Sequence, residues 1–432
     1  MANIDRRRPL AFLLVVLMAF FVVFPVISEE YNSDRGFYID LPEEFTFVDG
    51  DVTGQYTFAS IDGTITVTIV AYDPTRFASI QDIVRNTLNK LAARGTPSYF
   101  QYAGRDAALM DINFGSGASA SRGMAFFIDG SPEQAARAES ESGGCAYDLI
   151  FIAHTASGSF NASRDVIRSA IDGFSADFGA LAAPGPIGTA ARAALGPART
   201  RMARIMFGKA ALVVPWDPRE GSVAQETVER EYRVLTPYGA SPELVEAAIR
   251  RFYRMAWRDS APSLDRLALE LVTAWETGAW AGTAMEPRLA DGSTVRTYDG
   301  PAEGPRYGAP ADPRGYAAAL LSWTQKWVYE RSPKGSDVVN PLSAAMEGRG
   351  DCDSRAMALS VILRREDIES VLLISLAHEH ALAGIDAPGP GARFPYRDTS
   401  WLVAETTARV DIGLIDASQS AINDWFAVDF PF

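Results

Sequence analysis

The stretch that decides the fold reads Gly348-Arg-Gly-Asp-Cys-Asp-Ser-Arg-Ala-Met-Ala-Leu-Ser-Val-Ile-Leu-Arg-Arg365. Gly348 and Gly350 predict a tight turn, because glycine adopts backbone angles that other residues avoid. Asp351 is suited to cap a helix, since its carboxylate can accept a hydrogen bond from a free backbone N–H. Apolar side chains at helical spacing then give this helix a face to bury, namely Ala356, Leu359 and Leu363.

Cys352 falls in the first turn of the predicted helix. There the free amides and the helix dipole favour a thiolate over a thiol. Arg349 and Arg355 add positive charge nearby, although Asp353 opposes it. The pattern therefore predicts a nucleophilic cysteine, against the alternative of a small buried hydrophobe.

Two predicted strands that follow supply partners for this cysteine. Residues 371–377 form a continuous apolar run, and His380 stands at the start of the next strand, sharing one face with Leu382 and Gly384. A third strand, residues 400–407, carries Glu405 near its end. A base that takes the thiol proton and a carboxylate that orients the base complete a triad.

Roughly residues 310 to 415 resemble the transglutaminase-like domain, a papain-type cysteine fold. The family pattern is Gly-x-Cys-Asp opening a helix, His heading an apolar strand, and Trp followed four residues later by Asp-Pro-Thr. The corresponding segments are Gly350-Asp-Cys352-Asp353, His380-Ala-Leu-Ala-Gly-Ile, and Trp401-Leu-Val-Ala-Glu405-Thr-Thr. The resemblance implies that Cys352, His380 and Glu405 are catalytic, without metal or cofactor. Glu405 stands where the family has Asp.

Other residues compete for these roles. His378 lies two positions before His380, but the family pattern of small and apolar residues directly after the histidine favours His380. Asp386 and Asp398 are alternatives to Glu405, although both are simpler to interpret as turn residues. A zinc site formed by the two histidines and the cysteine is a further alternative, but its spacing matches no known metal motif.

Composition limits the classes of partner. The chain has 432 residues, enough for two or three domains, and a net charge of −14. An acidic protein is not attracted to nucleic acid or to anionic membrane surfaces. Its two cysteines do not make a disulfide framework. A Cys145–Cys352 bridge would consume the nucleophile.

The N-terminus predicts export. Residues 6–8 are arginines, and residues 9–27 are uncharged and largely apolar. Residues 1–28 therefore predict a signal peptide or a membrane anchor, with attachment through residues 9–27 in the second case. The body of the protein is then expected in the periplasm or cell envelope, or membrane-anchored outside the cytoplasm.

We expect an α+β protein with three further parts. Residues 35–178 predict an α/β sheet-and-helix domain, loosely similar to small secreted Mog1/PsbP-like domains, with a binding or spacer role. Residues 178–195 are rich in Ala, Gly and Pro and predict a linker. Residues 196–300 predict a helical region, in which residues 222–225 resemble a capping box. Residues 301–420 predict the papain-like domain.

The sequence thus predicts an exported thiol-dependent acyl-transfer enzyme that acts on peptide or protein amides. Water as acceptor gives a peptidase or amidase, and an amine gives a transglutaminase. The backbone N–H of Cys352 is a natural oxyanion donor, and Gln325 or Trp327 is a candidate for the second donor. The alternative is a catalytically inactive envelope-binding or scaffold protein with the same fold. The oligomeric state stays open.

Overall fold

The computed structural model describes residues 31–50, 54–130, 147–282, 309–332 and 335–431. The chain has an α+β fold in which antiparallel sheets pack against helices. The predicted signal or anchor segment, residues 1–28, and Cys145 lie outside the described residues. Within those residues, no helix is long and apolar enough to cross a membrane.

The first part of the chain forms a seven-stranded and a three-stranded sheet. The strands are β1 (Tyr31–Asn32), β2 (Tyr38–Ile39), β3 (Phe45–Gly50), β4 (Gln55–Ser60), β5 (Ile65–Tyr72), β6 (Ser98–Tyr102), β7 (Arg105–Phe114), β8 (Ser121–Ile128), β9 (Asp148–Ala156) and β10 (Phe174–Ser175). The large sheet has the order β3-β4-β5-β9-β8-β7-β6, and the small one has the order β1-β2-β10.

Helices cover both faces of the large sheet. Helix α1 (Ile80–Leu91) shares a core with Ile150 and Ile152 of β9, whereas α2 (Phe160–Asp172) shares the opposite core with Leu149 and Phe151. Successive side chains of a strand point to opposite faces. Strand β9 is apolar along most of its length because both of its faces are buried.

The predicted linker is a structured segment instead. Residues 178–182 form a 3-10 turn, and α3 (Pro186–Ala194) follows it. Asp172 accepts hydrogen bonds from the backbone N–H groups of Ile187 and Gly188 at the start of α3. The linker prediction was wrong because a carboxylate from the preceding helix stabilises a short Ala-rich helix that composition alone does not reveal.

The middle of the chain opens with a hairpin that the helical prediction did not include, β11 (Arg201–Phe207) and β12 (Ala210–Trp216). Three helices follow, α4 (Pro218–Leu235), α5 (Pro242–Ser260) and α6 (Asp265–Glu276). Asp217 caps α4 through the N–H of Arg219. The capping box expected at residues 222–225 is therefore wrong, since these residues lie inside the helix.

The last part of the chain packs three helices against a five-stranded sheet. The helices are α7 (Pro313–Thr324), α8 (Pro341–Glu347) and α9 (Cys352–Arg365). The strands are β13 (Ser370–Ser375), β14 (His380–Ile385), β15 (Arg393–Tyr396), β16 (Thr399–Ala404) and β17 (Phe426–Val428), in the sheet order β15-β16-β14-β13-β17.

One apolar core joins the middle helices to this last sheet. Leu267 and Leu271 of α6 belong to the same buried cluster as Leu359 of α9 and Ala383 of β14. The opposite face of the sheet has a separate core around Trp401 and its neighbours. The domain boundaries drawn from the sequence remain predictions.

Two buried arginines and one half-buried arginine on α5 join the middle helices to the N-terminal sheets. Arg251 donates to the backbone oxygen of Asp40, and Arg254 forms two hydrogen bonds with the Asp40 carboxylate. Arg258 donates to the backbone oxygens of Asp172 and other residues of the N-terminal part. Buried charges need such partners, because an unpaired one is costly.

Candidate active site

The glycine turn places Cys352 at the start of α9. Gly348 ends α8 with φ of 64°. Gly350 has φ of 151°, and a Cβ there would come within 2.6 Å of the Ser354 Cβ. Asp351 accepts a 3.0 Å hydrogen bond from the backbone N–H of Ser354. The turn, the N-cap and the helix predicted from the sequence are therefore confirmed.

The sulfur of Cys352 is a buried free thiol, with 4% of the residue exposed. The thiol donates to Oδ2 of Asp353 across 3.6 Å. The backbone N–H of Ala381, the residue after His380, lies close enough to stabilise a negative charge on the sulfur. Helix α9 thus presents the thiol to the beginning of β14.

The surroundings of Cys352 do not favour a resting thiolate. Burial raises the pKa of its thiol, and the carboxylates of Asp353 and Asp351 raise it further. Arg349 pairs with Glu347 and Glu330 rather than with the sulfur. The local positive charge expected from Arg349 is therefore not directed at the sulfur, and burial and the two acidic neighbours favour the neutral thiol.

The other expected cation, Arg355, is buried and has a structural role. It donates to the backbone oxygens of Gly350, Thr406 and Trp327 at 2.9, 3.2 and 2.8 Å. These oxygens belong to the turn before the nucleophile, the loop after β16 and the segment after α7. Arg355 therefore joins three segments that surround the site.

His380 and Glu405 are brought together as the sequence predicts. Nε2 of His380 lies 2.7 Å from Oε2 of Glu405. Burial alone would raise the pKa of Glu405, but hydrogen bonds from His380 and Thr407 outweigh it and hold the pKa at about 2. An ionised Glu405 accepts a proton-bearing Nε2, so the neutral ring has its lone pair at Nδ1.

The structure does not complete the triad by a hydrogen bond. Among the described residues, neither ring nitrogen of His380 bonds to the Cys352 sulfur, and Nδ1 has no partner. The thiol instead points to Asp353. The site therefore holds an oriented base and a thiol that must turn away from Asp353 to meet it.

The competing residues lie elsewhere. Nε2 of His378 pairs with Asp424 at 3.1 Å, because His378 belongs to the turn that precedes β14. Among the described residues, no three His, Cys, Asp or Glu side chains are grouped to hold a metal ion. Glu405, and not Asp386 or Asp398, is the carboxylate on the His380 ring.

The two candidates for a second oxyanion donor differ. Nε2 of Gln325 donates to the backbone oxygens of Glu405 and Val410 at 2.8 and 2.9 Å, so both of its hydrogens are used. Gln325 therefore positions the Glu405 loop. The indole N–H of Trp327 is buried and has no partner among the described residues. Of the two candidates, Trp327 is thus the one whose donor is not already used.

Sequence reasoning missed one residue of the site. Tyr253 on α5 is buried, and its hydroxyl donates a 2.5 Å hydrogen bond to Oδ1 of Asp353. The two residues are 100 positions apart. Tyr253 occupies an apolar position of an amphipathic helix, so no local signal separates it from an ordinary core residue.

Comparison with known proteins adds little. No family model matches the chain, and no curated protein matches it. It is similar to cyanobacterial PsbP of Synechocystis sp. PCC 6803 (13% identity, 37% of this chain and 98% of that chain, TM-score 0.27). It is also similar to LpqN, involved in cell envelope biogenesis of Mycobacterium tuberculosis (11%, 32% and 86%, 0.21). A Bacteroides thetaiotaomicron protein covers 54% of this chain (10% identity, 78% of that chain, 0.23). At these TM-scores, none of the likenesses supports an inference.

Proposed function

We propose that the chain is an exported thiol-dependent acyl-transfer enzyme that acts on peptide or protein amides. The observation that carries the proposal is the 2.7 Å His380–Glu405 pair at the head of β14, next to the residue whose N–H faces the Cys352 sulfur. The resemblance of the surrounding segments to the transglutaminase-like domain supports the same reading. Hydrolysis of the amide is the favoured reaction.

The first step forms a thioester. As Sγ of Cys352 attacks the amide carbonyl, its proton moves to Nδ1 of His380, and the developing imidazolium is stabilised by Glu405. The backbone N–H of Cys352 has no acceptor among the described residues, so it is free to hold the oxyanion. The C–N bond then breaks, and His380 gives its proton to the leaving amine.

The second step releases the acyl group. His380 takes a proton from water, and the water oxygen bonds to the thioester carbon. The C–S bond then breaks, and His380 returns the proton to the leaving sulfur to regenerate the thiol. An amine acceptor would follow the same path and give a new amide. In both cases the first attack requires the thiol to leave Asp353, because a thiol that donates to a carboxylate is a poor nucleophile.

The export part of the proposal rests on residues 6–27, in which three arginines precede an apolar run. Peptides of the cell envelope would be the accessible substrates for such a protein. The periplasmic or envelope location is tested by fractionation of cells that produce the full chain.

A second function is favoured by one observation. The buried thiol bonds to Asp353 and not to His380, as in a domain that no longer uses its cysteine. An inactive envelope-binding or scaffold protein would keep this arrangement permanently. The two functions differ in whether Cys352 can be acylated.

The test is to trap the acyl-enzyme. The chain from residue 29 onward is incubated with a pool of amide-bearing peptides, quenched in acid and examined by mass spectrometry for an adduct on Cys352. A labelled primary amine offered in competition with water then distinguishes amine transfer, which yields a labelled amide, from hydrolysis, which yields the free acid. Cys352→Ala and His380→Ala are the test variants, and Arg85→Ala, an exposed residue on α1, is the matched control.

We expect the adduct in wild type and in Arg85→Ala, and its loss in both site variants. If no peptide modifies Cys352, and if His380→Ala does not change the iodoacetamide labelling, the proposed enzymatic function is contradicted. The scaffold function would then be favoured.

A further inference from the structure

A groove of about 350 Å³ lies between α2, α3 and α4, far in sequence from the cysteine site. Its exposed wall is mainly apolar and includes Ile187, Ala191, Leu195 and Val223. Polar side chains also line the groove, namely Arg168, Arg219, Arg230, Glu226, Ser222 and Thr227. Sites for small ligands are concave, largely apolar and carry few polar groups, and their volumes begin at about 300 Å³. The groove is therefore large enough for a small ligand.

One cation in the groove lacks a partner. Arg168 of α2 is half-buried, and among the described residues it has neither a hydrogen bond nor an ion pair. Burial lowers the pKa of Arg168, and the charge of Arg230 lowers it further. A half-buried guanidinium without a hydrogen-bonded anion is unfavourable in the free protein.

The other arginines of the groove differ from Arg168. Arg219 pairs with Asp217, and Arg230 pairs with Asp172 at 2.6 Å and with Glu231 at 2.7 Å. They are neutralised locally. Arg168 is therefore the guanidinium of the groove that is left to hold an incoming anion.

The charges around Arg168 are of both signs, and Glu226 lines the groove as well. Arg164 lies one turn earlier on α2, and it too has no ion pair among the described residues. Like charges four positions apart on a helix repel each other. Asp172 and Glu226 attract Arg168 without contacting it. Asp172 is committed to Arg230, and Glu226 lies 3.7 Å from Arg233.

We propose that this groove binds a single-chain anionic amphiphile, with its carboxylate or phosphate head on Arg168 and its tail along Ile187, Ala191 and Val223. A guanidinium holds either head through two parallel hydrogen bonds. Contact between the apolar wall and the tail buries apolar surface of both, which favours binding. This site is separate from Cys352 and stands whether or not the chain is an enzyme.

The test measures binding of decanoate, decyl phosphate and decanol below their micelle-forming concentrations by calorimetry. We expect the two anions to bind and the alcohol to bind at least about tenfold more weakly, since a charged hydrogen bond contributes about 1.5–3 kcal/mol. Arg168→Ala should weaken the anions to the level of the alcohol. Arg85→Ala, an arginine already paired with Asp82, is the matched control.

Two further results decide the source and the place of binding. Ala191→Trp fills the groove from α3 and should abolish binding of both anions while the melting temperature stays unchanged. Equal binding of decanol and decanoate, or anion binding that Arg168→Ala leaves intact, would overturn the proposal. So would attachment to phosphatidylglycerol vesicles without binding of the free anions, because the ligand would then be a membrane surface.

Discussion

The hydroxyl of Tyr253 holds Asp353 by a 2.5 Å hydrogen bond, and the other oxygen of the same carboxylate lies 3.6 Å from the Cys352 sulfur. A buried residue of the middle helices thus fixes the group that restrains the candidate nucleophile. In the structure, Asp353 therefore restrains the Cys352 thiol.

Asp353→Asn should make Cys352 more reactive. Removing the negative charge next to the sulfur lowers the pKa of its thiol, so more thiolate is present at a given pH. We expect the rate of iodoacetamide labelling at pH 7.5 to rise about tenfold, for a pKa change of about one unit. Asp424→Asn, which removes a carboxylate paired with His378, is the control and should leave the labelling profile unchanged. A slower reaction in Asp353→Asn would contradict the inferred role.

Glu405→Gln should abolish most of the acylation activity. The amide no longer fixes the neutral tautomer with its lone pair at Nδ1, and we expect the acylation rate to fall by about 10²-fold or more. Thr407→Val removes only the hydroxyl that donates to Oε1 at 2.6 Å, so it should cost much less. Single-turnover acylation measures both. Equal losses in the two variants would indicate a disrupted loop rather than a lost orienting group.

The depressed pKa of Glu405 also fixes the pH window of this interaction. Its pKa falls from 4.5 to about 2 on folding, so its contribution to stability is present above pH 4.5 and is lost as the pH falls through about 2. Above pH 4.5 Glu405 is therefore ionised in wild type and in Thr407→Val. We expect the acid limb of the pH–activity profile to lie at the same pH in both proteins.

Glu43→Gln should stabilise the protein at neutral pH. Burial raises the pKa of Glu43 from 4.5 to about 7, and one of its oxygens has no hydrogen-bond partner. A raised carboxyl pKa favours folding below pH 4.5, and this contribution is lost as the pH rises through about 7. We expect a gain on the order of 1–3 kcal/mol at pH 8 and little change at pH 4.5, measured by urea unfolding. A gain of the same size at both values would exclude titration of Glu43 as the cause.

Arg258→Met should destabilise the protein, and the N-terminal sheets should still unfold in the same transition as the rest of the chain. The guanidinium donates to five acceptors of the N-terminal part: the hydroxyl of Tyr102 and the backbone oxygens of Asp172, Phe174, Ala180 and Ala183. Leaving them unpaired should cost on the order of 3 kcal/mol or more. Circular dichroism and tryptophan fluorescence should report one unfolding transition with a lowered midpoint in Arg258→Met. The midpoint of Arg85→Met should equal that of wild type. Two separated transitions would show that the parts fold independently.

Local sequence patterns predicted the positions of the site residues, but they did not predict the surroundings of those residues. The glycine turn, the Asp351 cap and the start of α9 follow from adjacent residues, and strand patterns brought His380 and Glu405 together. The acidity of Cys352 could not be predicted, because it depends on burial and on where Arg349 and Arg355 find partners.

Long-range contacts explain the other errors. Tyr253 reaches the site from a helix 100 positions away, and no alternation or cap marks it. The segment assigned as a linker folds because Asp172 caps it. Composition reports neither kind of contact.

Helix α5 carries Arg258 toward the N-terminal sheets and Tyr253 toward the nucleophile, five positions apart. Five residues of helix span about 7.5 Å, a length over which a helix moves as a stiff rod. A displacement of the N-terminal sheets would therefore move helix α5 as a unit. It would shift Tyr253 and the Asp353 carboxylate that contacts the Cys352 sulfur. We therefore expect that exchanging the N-terminal part for another one would change the reactivity of Cys352.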